Sequence, residues 1–211
     1  MEDRKALIDK RVCIDPGHPS EIGIGTRGRK LTEVGVAWTV AVRLRDILTE
    51  RGATVRLTKR AERDYVANRR RAEIANAFRA DLLLRLHCDA DAGSGIAVFY
   101  PDRQGTDKAG TVGPSPTVLA ATKRIAPLFH RALTKSLAGT VIRNRGLKSD
   151  IHTAIGAKQG ALTGSICSEV PVLLVEMVVL TNPKDEAFVA DPAGHERMAQ
   201  ALADAAEAAL R

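Results

Sequence analysis

Short apolar runs alternate with amphipathic stretches along most of the chain. Arg11–Asp15 is an apolar run bounded by charges and reads as a first strand, and Ala53–Thr58 reads as a second, with Val55 and Leu57 alternating. Leu82–His87, Ile96–Tyr100 and Val172–Met177 are three more, the first of them ending in a histidine and the last in Glu176 and its neighbour. Between them the period changes. Val36, Val40, Leu44, Ile47 and Leu48 follow at helical spacing, with Thr32 placed to cap, Glu33 in the first turn and Gly52 to stop the helix. Tyr65–Phe78 reads as a second helix, with Val66, Arg70, Ile74 and Ala77 down one side. Pro116–Leu137 reads as a third, with a bend expected at Pro127, and Lys184–Leu210 as one or two helices split near Asp191-Pro192. Residues 19–32 and 102–115 have loop composition, and the five glycines of 139–170 mark a loop-rich excursion. Alternating strands and helices predict an α/β fold: one domain over residues 1–211, with a mostly parallel twisted sheet of about five to six strands flanked by helices on both faces.

Composition narrows the function. The chain has 211 residues, 45% hydrophobic and 27% charged, enough for one sizeable core and too apolar for disorder. Aromatics are only 3%, so a broad stacking platform for sugars or bases is not expected. A net charge of +7 favours anionic partners. The basic residues are scattered apart from Arg69-Arg70-Arg71, so no nucleic acid is expected as partner. Cys13, Cys88 and Cys167 have no metal-binding spacing and cannot all pair. The stretch Met1–Leu7 lacks the apolar core of a signal peptide, and no segment is long enough to span a membrane. Localisation is therefore open between action where the chain is made, release by lysis, and a leader already removed; a monomer is expected.

Four polar residues sit at predicted element ends beside apolar sequence: His18, Glu33, His87 and Glu176. His18 follows a Pro16-Gly17 turn at the end of the first strand, the end at which open α/β sheets place ligands. Two histidines and a carboxylate are a common catalytic zinc set, and a second carboxylate can serve as general base. Each has a blander explanation. Glu33 could complement a helix dipole, and His87 could be a core histidine bonded to a carbonyl. Glu176 is the hardest to explain that way, because it interrupts an apolar run from Val172 to Leu180.

Asp15-Pro16-Gly17-His18, Glu33 opening a helix, Leu86-His87-Cys88-Asp89-Ala90, and Leu174-Val175-Glu176 followed by Leu180-Thr181-Asn182 occur in that order over nearly the whole chain. Together with Leu57-Thr58, Arg71, Ala75-Asn76 and Gly95, this set resembles the zinc N-acetylmuramoyl-L-alanine amidases of the amidase-3 type. The resemblance implies an α/β fold and a Zn2+ ion held by His18, Glu33 and His87, with Glu176 catalytic. It implies hydrolysis of the amide between N-acetylmuramic acid and L-alanine in peptidoglycan or muropeptides, as in autolysins and endolysins. Arg85, Asp89, Arg145 and Lys148 are candidate substrate contacts, the basic three for carboxylates of the stem peptide. Asp89 could also join or tune the metal shell. The chain departs from the family pattern at Arg85, Asp89, Lys59 and Val179, and residues 147–170 match poorly. The rival readings are a zinc peptidase or deacylase acting on another amide, and a catalytically inactive wall-binding module.

Overall fold

The computed structural model describes residues 6–211; the signal-peptide reading of Met1–Leu7 rests largely on residues outside that range. Its centre is a six-stranded sheet in the order β2-β1-β3-β8-β4-β7. The strands are β1 (Arg11–Pro16), β2 (Thr54–Leu57), β3 (Leu82–Asp89), β4 (Ile96–Tyr100), β7 (Asn144–Ser149) and β8 (Val172–Val179). β2, β1, β3 and β8 run parallel, as the alternating pattern predicts, while β4 is antiparallel to β8 and β7 follows β4. The reversal has a simple cause. Only residues 90–95 join β3 to β4, and a parallel crossover needs about a dozen residues or more.

Strand alternation sorts the side chains. Val12, Ile14, Leu82, Leu84, Leu86, Leu173 and Val175 face the main core under α1 (Glu33–Glu50), α3 (Pro116–Ser136) and α7 (Pro192–Leu210). Each such leucine removed from water contributes about 1.5–3 kcal/mol, so this face anchors the fold. The opposite face is only partly apolar. Cys13, Leu83 and Val172 pack under α2 (Asn68–Phe78), but Asp15 and Arg85 also lie there, both buried. The side-by-side register of Asp15, Arg85 and Leu174, and one step on of His87 and Glu176, puts a polar row at the C-terminal ends of the parallel strands.

Two expectations need correcting. Glu176 does not close its strand, because β8 continues to Val179. Residues 139–170 are not simply a loop: they contain edge strand β7, a 3-10 turn (Asp150–His152) and two one-turn helices, α4 (Gly156–Gln159) and α5 (Thr163–Ile166). β7 escapes the pattern because its residues Asn-Arg-Gly-Leu-Lys-Ser show little apolar alternation; an edge strand buries little and needs little. Likewise 102–115 holds a two-residue hairpin, β5 (Gly105–Thr106) with β6 (Val112–Gly113). The split in the last helical stretch is real: α6 (Pro183–Ala190) and α7 meet at Asp191, which caps α7.

Candidate metal and catalytic centre

His18 leaves β1 on a turn that Gly17 makes feasible. A Cβ on Gly17 would lie 2.7 Å from the His87 ring, so only glycine lets the β1 end pass so close to β3. His18 itself has φ of 50°, a left-handed backbone, and its carbonyl accepts from the buried Lys59 amine. Burial, then the charge of Arg71, push the Lys59 pKa down to about 8. Glu33 comes from the first turn of α1, whose cap Thr32 accepts from the Gly35 N–H. His87 comes from the end of β3.

These three side chains converge. Their ligand atoms all lie within 4.8 Å of one another. Glu33 Oε1 is 2.9 Å from His87 Nδ1 and 3.6 Å from His18 Nε2. Backbone N–H groups hold the carboxylate in place, Cys88 donating to Oε1 at 3.1 Å and Thr26 to Oε2 at 2.7 Å. His18 Nδ1 lies 3.0 Å from the Gly23 carbonyl, which can only accept. In the neutral ring Nδ1 therefore carries the proton and Nε2 presents a lone pair to Glu33 Oε1. Two acceptors facing each other across 3.6 Å are an arrangement that a cation resolves, and the imidazole and carboxylate donors suit zinc. The residues present thus fit a divalent metal ion.

The electrostatics agree. Burial raises the Glu33 carboxyl pKa, but the His87 hydrogen bond, the charges of both histidines and the Thr26 N–H more than offset it and hold Glu33 below its ordinary range. Burial lowers the His87 pKa against the pull of Glu33. Glu176, in register with His87 on the neighbouring strand, behaves oppositely: burial first, then the charges of Glu33 and Asp89, push its carboxyl well above the usual range. Its Oε2 is buried with no protein partner among the described residues. His18, His87 and Glu176 line one cavity of about 150 Å3, walled by Ile22, Ile155, Leu162 and Leu174.

Residues 12–208 match the N-acetylmuramoyl-L-alanine amidase family. The chain belongs to that family. It is 24% identical over 212 residues to the germination-specific N-acetylmuramoyl-L-alanine amidase of Bacillus subtilis strain 168, spanning 93% of this chain and 78% of that protein. It is 27% identical over 215 residues to N-acetylmuramoyl-L-alanine amidase AmiA of Escherichia coli K12, spanning 92% and 73%. Its fold is similar to that of the N-acetylmuramyl-L-alanine amidase Ami1 of Mycobacterium abscessus, with TM-score 0.77 at 24% identity over 97% of this chain and 100% of that one.

The amidase chain gathers some of its expected site residues and leaves others aside. His18, Glu33 and His87 come together, with Glu176 in the same cavity as the two histidines. Arg85 lines that cavity too. Asp89 does not join the ligand group; it pairs with Arg145 at 2.7 Å, and Arg145 also holds Asp91. Lys148 lies 5.8 Å over the Phe99 ring, on β7 and outside the cavity lining. Of the other histidines, His130 bonds Asn144, His152 bonds the Ser149 carbonyl, and neither is in the ligand group.

The sequence reading missed Glu186. Its Oε1 accepts from the N–H groups of Lys30 at 2.7 Å and Leu31 at 3.0 Å. These residues form the tip of a small hairpin in which Gly28 N–H bonds the Leu31 carbonyl and Glu33 N–H bonds the Thr26 carbonyl. Gripping the tip steadies the base, where Thr26 orients the Glu33 carboxylate. A buried glutamate in the first turn of a helix begun by Asn182-Pro183 reads as a dipole partner, and no spacing signals that its bond partner lies about 155 residues away.

Proposed function

We propose that the chain is a zinc-dependent amidase that cleaves the bond between N-acetylmuramic acid and L-alanine in peptidoglycan or muropeptides. The observation that carries this reading is the alignment of Glu176 beside His87 in a cavity that also receives His18, with Glu33 completing a three-donor group. His18, Glu33 and His87 would hold the zinc ion. When bound there, zinc would supply Lewis acidity to the amide carbonyl and make water a better nucleophile near neutral pH.

The remaining chemistry belongs to the chain. Glu176, kept out of bulk solvent and with a raised pKa, is suited to take a proton from the attacking water and hand it to the departing alanine nitrogen. The apolar wall of Ile155, Leu162 and Leu174 limits competing water and accommodates the methyl groups on either side of the amide. The Gly23 carbonyl fixes the His18 ring, and the Cys88 and Thr26 N–H groups fix Glu33, so the donor atoms need little rearrangement.

The test is a muropeptide digest. A chelator should abolish hydrolysis and zinc restore it, with product masses showing a free L-alanine amino terminus. Cleavage inside the peptide would assign a peptidase instead. Glu176→Ala should keep stoichiometric metal and lose at least about 100-fold in turnover, the usual scale of a lost general base; retained hydrolysis would remove Glu176 from this role.

A further inference from the structure

The cavity that holds His18, His87 and Glu176 has a cation in its lining. Arg85 sits two residues before His87 on the same face of β3, only 3% exposed, and lines the same cavity. It is firmly anchored. Its Nε donates to Asp15 Oδ2 at 2.9 Å and its Nη2 donates to Asn68 Oδ1. The third nitrogen, Nη1, takes part in neither of these bonds. Gly164 passes close to that nitrogen and adds no side chain over it: a Cβ there would lie 2.6 Å from Nη1 and 2.8 Å from the guanidinium carbon. Gly164 lines the cavity as well.

Charge balance points the same way. Asp15 is shared by two buried guanidiniums, Arg71 and Arg85, so Arg85 has only part of one carboxylate as its ion-pair partner. The neighbouring acids Asp150 and Glu21 feel the Arg85 charge but accept no hydrogen bond from it. Asp150 Oδ2 accepts from the Leu162 N–H, and Glu21 accepts from the backbone and side chain of Asn68. A pre-positioned guanidinium with spare N–H donors in a low-dielectric cavity is a carboxylate receptor.

We propose that Arg85 binds a carboxylate of the substrate, so that the preferred substrate carries a free carboxylate on the residue after the alanine. The proposal rests on the amidase reading for its choice of substrate. On the acyl side of that amide stands a lactyl ether of a neutral sugar, so the carboxylates lie on the peptide side. Two strand residues place Arg85 roughly 7 Å along β3 from His87. An extended peptide covers about 3.5 Å per residue, which puts a carboxylate of the second stem residue within reach.

The experiment compares two muramoyl dipeptides that differ only at the α-carboxyl of the second residue, free acid in one and carboxamide in the other. Calorimetry with the released dipeptides in the same two forms runs in parallel. The wild-type zinc protein should favour the acid roughly 10- to 100-fold, the range of one charge-assisted hydrogen bond, with the difference in KM and in dipeptide Kd. Arg85→Gln should bring acid and carboxamide to within about threefold. Gly164→Ala, whose Cβ would lie 2.6 Å from Nη1 and so displace it, should shrink the preference in the same direction and keeps the proposal testable if Arg85→Gln fails to fold. Equal dipeptide affinity for acid and carboxamide in the wild type overturns the Arg85 assignment, whatever the turnover. Acid-selective dipeptide binding without hydrolysis of either substrate supports Arg85 and overturns the amidase reading instead.

Discussion

Asp15 lies at the buried end of β1, accepting from Thr58 and Arg71 on one oxygen and from Arg85 on the other. Burial alone would raise its pKa, but the charges of Arg71 and Arg85 outweigh it and hold the carboxyl far below the ordinary value. The stabilisation it contributes is therefore complete above the unfolded-state pKa of about 3.9 and fades as pH falls toward the folded-state value. Asp15→Asn should cost about 3–5 kcal/mol at neutral pH, because it leaves buried guanidiniums without their counter-charge. Denaturant unfolding at neutral and acid pH checks this: the gap from wild type should narrow below about pH 4. A gap independent of pH would mean that shape rather than charge is at stake. Asp15 was visible in the sequence as the end of a strand motif. Its two arginine partners, 56 and 70 residues on, were not paired with it, because register across a parallel sheet and the reach of α2 decide that contact.

α6 works as a brace between loops distant in sequence. Asp185 accepts from Ser94, Gly95 and Val179, and Glu186 grips the tip of the 26–33 hairpin. The same short helix thus ties the loop before β4, the end of β8 and the loop that delivers Glu33. Glu186→Ala should leave the helices and sheet folded, by circular dichroism, yet weaken metal binding about 10- to 100-fold, the scale seen when the support of a ligand is removed. Competition with a chromophoric chelator measures this; unchanged metal affinity would reduce Glu186 to a purely structural clamp. Elements with strong periodicity were legible in sequence: α1 with its Thr32 cap, β3 and β8 all fall close to their expected positions. β7 was not, since an edge strand of Asn, Arg, Gly and Lys has no apolar pattern to read.

Across the molecule, the three proposed ligands arrive from the end of β1, the start of α1 and the end of β3, so metal binding and folding are linked. A bound ion that the unfolded chain holds poorly stabilises the fold by RT ln(1 + [L]/Kd), about 2.7 kcal/mol at a hundredfold excess over Kd. Zinc should accordingly raise the melting temperature of the apoprotein, and His87→Ala should abolish that rise. A rise that survives the substitution would place the ion elsewhere.

The periodicity of the chain was enough to determine an α/β domain, and its ordered motifs were enough to nominate His18, Glu33, His87 and Glu176. Local pattern reaches that far because strands and helices form from residues near one another in sequence. Tertiary structure alone decided which polar residues share a cavity. It set Arg85 inside the cavity, sent Asp89 to Arg145 and put Lys148 over Phe99. It also joined Glu186 to a hairpin on the other side of the chain. Sheet register and helix packing bring partners such as Asp89 and Arg145, or Lys30 and Glu186, together from 56 and 156 positions apart, distances over which composition and spacing carry no signal.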